Sequence, residues 1–68
     1  MKSMYDVRQL LKKYGTIIYT GERSLDLSLM VDELRELHEW KMIETTLYMQ
    51  ALHIIRQEQR IVEGVEGE

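Results

Sequence analysis

Apolar residues recur with a helical period in three stretches of this chain. Val7, Leu10, Leu11 and Tyr14 fall at i, i+3, i+4 and i+7, which places them on one face of a first helix. Ser3, three residues ahead of Asp6, forms a capping box with the shorter acid, and Gly15 suits the left-handed residue that follows a helix C-terminus. A second stripe of Leu27, Met30, Val31, Leu34 and Leu37 predicts a helix capped by Ser24 or Asp26 and running to about Trp40. The third helix starts at Glu44 or Thr45. In it Tyr48, Ala51, Leu52 and Ile55 form one stripe, while Leu47, Ile54 and Ile61 recur every seventh residue beside it. So broad an apolar face needs two neighbours, or one neighbour and a second copy of the chain.

Between the first two helices lies Thr16-Ile17-Ile18-Tyr19-Thr20, bracketed by Gly15 and Gly21. Its β-branched and aromatic residues predict a short extended segment that packs across the helices. No proline interrupts any helical stretch. The expected fold is therefore all-α: an antiparallel three-helix bundle over residues 1–62, with a short extended segment between helices one and two. Residues 63–68 are expected to be a disordered acidic tail, because Glu63-Gly64-Val65-Glu66-Gly67-Glu68 lacks apolar bulk.

Size narrows the picture further. A 68-residue chain buries only about 60% of the surface that its unfolded form exposes, so one marginal core is the limit. There is no cysteine for a disulfide or a cysteine-based zinc site. Stability must come from helix packing, and a homodimer would supplement it. No apolar run approaches the roughly 18 residues of a membrane span, and no signal-like apolar stretch follows Met1. The expectation is a cytoplasmic protein without a membrane partner.

The net charge of −3 is unevenly spread. Residues 1–15 carry a balance of +3, whereas residues 16–55 carry −4. The first helix is thus the basic one.

Certain residues resemble a known family: Tyr14-Gly15-Thr16-Ile17-Ile18-Tyr19-Thr20-Gly21-Glu22-Arg23, then Leu25-Asp26-Leu27, Met42-Ile43, and Arg56-Gln57-Glu58-Gln59-Arg60. Over about residues 5–60 the chain resembles the YqgQ-like proteins. The resemblance implies a small cytosolic protein of low-GC Gram-positive bacteria, folded as three helices. It also implies no established enzymatic activity, with single-stranded nucleic-acid binding as the suggested role. One departure is Lys41, where such proteins tend to carry glycine in the turn between helices two and three. A lysine makes a left-handed turn costlier, so a local difference in that turn is expected.

Enzyme chemistry finds little support in the residues. Gly15 and Gly21 bracket a segment as phosphate-loop glycines do, but Glu22-Arg23 follows where Lys and Ser or Thr are required. His38 and His53 are the only histidines and have no metal-ligand spacing, so they read as solvated or helix-edge residues and no metal or cofactor is expected. Asp32, Glu33, Glu36 and Glu39 have the spacing of a solvated helix face rather than of a catalytic carboxylate pair.

Nucleic-acid binding rests on two stripes. Tyr5, Arg8 and Lys12 lie at i, i+3 and i+7 with Lys13 adjacent, combining cations for phosphates with an aromatic that can stack on a base. On helix three, His53, Arg56, Gln57 and Arg60 share a polar face that would extend the track if the fold brought it beside helix one. The plainer reading is that Lys12, Lys13, Arg56 and Arg60 complement helix dipoles at C-termini. Duplex binding by a helix-turn-helix is disfavoured, because acidic helix two would lie against phosphates. The leading expectation is a non-enzymatic module that binds single-stranded RNA or DNA.

The alternative is a protein-interaction module or a homodimeric regulator, with Leu47, Ile54 and Ile61 as the dimer contact. Trp40, the only tryptophan, is expected to plug the core at the end of helix two rather than anchor a partner.

Overall fold

A computed structural model describes residues 1–63. It contains three helices, α1 (Met4–Lys13), α2 (Arg23–Glu39) and α3 (Thr45–Glu63). The predicted fold class is therefore the observed one. The expectation for the acidic tail beyond Glu63 lies outside the described residues.

Every residue of the α2 stripe, from Leu27 to Leu37, is buried, and Val7, Leu11, Ala51 and Ile55 meet it from the other two helices. Leu47, Tyr48, Leu52 and Ile54 close around this centre as half-buried residues, which accounts for the broad apolar face of α3.

Each helix terminus shows how the sequence sets its limits. At the start of α1 the Asp6 carboxylate accepts the backbone N–H of Lys2 at 2.8 Å and of Ser3 at 3.3 Å. The Lys2 bond is the main reason that the Asp6 carboxyl lies below its ordinary value. α1 ends in a Schellman motif: Gly15 N–H donates to Lys12 O and Thr16 N–H to Leu11 O, with Gly15 at φ 88°. α2 ends in the same way, with Lys41 N–H donating to His38 O and Met42 N–H to Leu37 O.

In α2 the left-handed position belongs to Lys41, at φ 60°. The lysine thus leaves the turn left-handed instead of changing it, contrary to the sequence expectation, because two backbone hydrogen bonds and the burial of Ile43 fix its geometry. Lys41→Gly is accordingly expected to stabilise the protein by about 0.5–1 kcal/mol, read as a higher midpoint in urea unfolding.

The cap of α2 also differs from expectation. Glu22 fills the N-cap position and its Oε1 accepts the Leu25 N–H at 2.7 Å, so neither Ser24 nor Asp26 caps the helix. Glu22 is reached first because the chain leaves its extended conformation there, whereas Ser24 and Asp26 already lie inside the first helical turn.

Long-range bonds define the arrangement. Tyr14 Oη donates to Met42 O at 3.0 Å, so the C-terminal ends of α1 and α2 lie at the same end of the molecule. Thr16 Oγ1 donates to Glu33 Oε2, and Thr20 meets Asp26, which makes the extended segment run back along α2 towards its start. Arg23 Nη2 pairs with Glu58 Oε2 at 2.8 Å, bringing the start of α2 to the last third of α3. The antiparallel pairing expected of the bundle thus joins α2 to α3. α1 reaches α2 through the extended return segment instead of a tight helical hairpin.

Of that segment only Ile18 packs against the core, while Ile17 and Tyr19 are 78% and 83% exposed. The expectation that all three residues pack across the bundle is corrected here. An extended chain alternates its side chains, and one inward residue leaves its neighbours outward. Trp40 is likewise 73% exposed and not a core plug. It is the C-cap of α2, and the left-handed turn after it delivers Ile43 to the core in its place.

Candidate nucleic-acid interface

The basic face of α1 owes its position to Val7 and Leu11. Burying those two residues commits the other side of a ten-residue helix to solvent. Tyr5, Lys12 and Lys13 are exposed and Arg8 is half-buried. The Arg8 stem descends towards the start of α2, where its charge helps to keep the Asp26 carboxyl ionised.

Asp26 sets the path of the segment that faces α1. It is buried, with its Oδ1 accepting the Thr20 N–H at 2.8 Å and the Thr20 hydroxyl at 2.6 Å. These two bonds, the hydroxyl one first, hold its carboxyl below the ordinary value of 3.8. Because the folded-state value is the depressed one, the stabilisation is complete above the unfolded value near 4 and is lost as pH falls from there through the lower folded-state value. Asp26→Asn should therefore melt below the parent protein at pH 7. The gap should narrow as both are taken to pH 3 in thermal scans.

Pinned in this way, the extended segment forms one wall of a groove of about 210 Å³, with α1 as the other wall. Arg8 and Lys12 stand on the α1 side, and Leu11, Ile18 and Met30 supply its apolar lining. The backbone N–H and C=O groups of Ile17, Ile18 and Tyr19 take part in no hydrogen bond among the described residues.

The far end of α1 meets a second group of residues. The Tyr14–Met42 bond places Lys13 and Tyr14 at the same end as Trp40 and Lys41, and Lys13 Nζ lies 6.0 Å from the Tyr14 ring centre. Sequence reasoning missed Trp40 and Lys41 as companions of the α1 cations. The one available signal was a cation following an exposed aromatic at a helix end, which reads equally well as a core plug.

Arg56 and Arg60 do not join this group. With His53 they line a separate hollow on α3 whose walls include no residue of α1. The Arg23–Glu58 pair puts this hollow near the start of α2, at the opposite end of the bundle from Lys12 and Lys13. The two basic stripes therefore line separate hollows rather than one shared groove. Of the dimer-contact residues, Leu47 and Ile54 are half-buried against the core, while Ile61 is 74% exposed.

The histidines occupy dissimilar settings. His38 stacks on Tyr48, with ring centres 4.4 Å apart, and its Nε2 lies 3.0 Å from Thr45 Oγ1. His53 is exposed. Among the described residues no group of three or more His, Asp or Glu side chains is arranged to hold a metal ion. No helix among them is long and apolar enough to cross a membrane.

Comparison with known proteins decides the family. The YqgQ-like family model matches residues 1–61, nearly all of the described chain. The chain belongs to the YqgQ-like family. A relative from Bacillus subtilis (strain 168), bearing the name Uncharacterized protein YqgQ, is 45% identical over 58 residues, covering 85% of this chain and 82% of the relative. The YqgQ-like match spans all three helices and the extended segment between α1 and α2, so the groove and the Trp40 end both fall within the shared region.

Proposed function

We propose that this YqgQ-like protein is a non-enzymatic, cytoplasmic module that binds single-stranded nucleic acid along α1. The observation that carries the reading is the junction made by the Tyr14–Met42 bond. It brings Lys13 and Tyr14, the end of the basic helix, to the same end of the molecule as Lys41 and the exposed indole of Trp40. Cations spaced along a helix take successive phosphates, and exposed aromatic rings at both ends, Tyr5 and Trp40, offer stacking faces for unpaired bases. A duplex keeps its bases stacked and offers these rings nothing. The acidic face of α2, with Asp32, Glu36 and Glu39 exposed, repels phosphates and confines the strand to the α1 side.

Fluorescence anisotropy of labelled single-stranded RNA and DNA oligomers, with a duplex control, tests the reading between about 50 and 200 mM salt. Binding to single strands that weakens steeply with salt is expected. No binding at the lowest salt removes the proposal.

A protein-interaction role is the second reading, favoured by the exposure of Ile17, Tyr19 and Leu25. Sedimentation at micromolar concentration separates the two. A dimer lost on Tyr19→Asp would favour the second reading, and a monomer that binds oligomers the first.

A further inference from the structure

We infer that the groove between α1 and the extended segment is a base-reading site, taking one unstacked nucleobase of the bound strand and discriminating among the four. The inference rests on the single-strand reading above and adds a residue-level specificity to it. Arg8 and Lys12 alone would bind any phosphate chain. The groove differs from the rest of the basic face in three ways.

First, its interior is apolar and preformed. Leu11 and Met30 are 2% and 1% exposed and form a closed floor, so the aliphatic surface that a flat ring covers is that of the half-buried Ile18 and the stems of Arg8 and Lys12. Second, the extended wall carries unpaired peptide groups at Ile17 and Ile18. A residue in an extended chain shows its N–H and C=O to the same side, as in a hydrogen-bonded strand pair. That adjacent donor and acceptor matches the donor–acceptor edge of a base, and only a base with the right order of groups satisfies both. A wrong base leaves one of these hydrogen bonds unmade and so binds less tightly. Third, Arg8 is half-buried beside the groove, where its planar guanidinium can cover a base while Lys12 meets a flanking phosphate. The Thr20–Asp26 and Thr16–Glu33 bonds tether both ends of the wall, so the reading edge is fixed before the ligand arrives.

Competition titrations with the four homopolymeric single strands of equal length test this on the full-length protein at one fixed salt concentration. The expected result is a preference of about tenfold or more for one base over the least favoured. Ile17→Pro and Ile18→Pro each remove one N–H from the wall within an extended segment that can accept proline, with the fold checked by far-UV circular dichroism. Loss of the N–H that faces the groove should flatten the preference. Lys12→Ala should instead weaken all four homopolymers by similar factors and lower the salt slope by about 0.7. Equal affinity for all four, or a preference unchanged in both proline variants, overturns the base-reading site and leaves the single-strand reading standing. Failure of every homopolymer to bind overturns both.

Discussion

Replacing Leu34 with alanine is expected to lower the stability of this protein by about 2–5 kcal/mol. Leu34 is fully buried at the centre of the stripe that α2 presents to both neighbours. Its removal leaves a cavity where all three helices pack. At about 0.05–0.15 kcal/mol per residue, a chain of this length has roughly 3–10 kcal/mol in total, so one truncation consumes much of the margin. Urea unfolding followed by far-UV circular dichroism reads the effect. Trp40 fluorescence is the poorer probe because the indole is already exposed in the folded state. Ile61→Ala, at a site 74% exposed on α3, should shift the midpoint by no more than about 0.5 kcal/mol. Equal effects at the two positions would contradict the core described here.

The second large effect belongs to binding. The double variant Arg8→Ala and Lys12→Ala removes two cations from the same face of α1, and each phosphate contact on a single strand contributes about 0.7 to the salt slope. A slope shallower by about 0.7, from the Lys12 phosphate contact, and an affinity lower by about tenfold or more at 50 mM salt, since the Arg8 contact to a base is lost as well, are expected, measured by anisotropy. The matching pair Arg56→Ala and Arg60→Ala removes as much charge from the separate hollow on α3. It should change binding far less. Comparable losses from both pairs would mean that net charge, and not the α1 face, governs the interaction.

The contrast between those two pairs shows where the sequence stopped being legible. Helical periodicity identified the buried α2 stripe and most of the α1 and α3 faces, because a period of 3.6 leaves few alternatives when apolar residues repeat over three turns. Gly15 announced the end of α1 for an equally local reason. Whether Arg56 and Arg60 would continue the α1 track depended instead on how three helices are arranged, which no local pattern encodes. Trp40 was misplaced because an indole at a helix end suits a core plug and an exposed platform alike. The choice is made by the left-handed Lys41 turn, which sends Ile43 inward. Asp26 reads from the sequence as one of two candidate caps, with Ser24, since both residue types favour that position. Its role as the anchor of Thr20 required knowing that the extended segment returns along α2. The groove was invisible for the same reason, although its parts, a basic helix face and a β-branched segment, were both recognised.

Backbone amide shift mapping of the labelled protein with a short single-stranded oligomer at about 50 mM salt tests the central claim most directly. The account predicts salt-reversible shifts along Tyr5, Arg8, Lys12 and Lys13, at Ile17 and Ile18, and around Trp40 and Lys41, with the α3 hollow near Arg56 and Arg60 little affected. Shifts confined to that hollow, or none with protein and oligomer at about 1 mM, above the non-specific dissociation constants of about 1–100 μM, would contradict it.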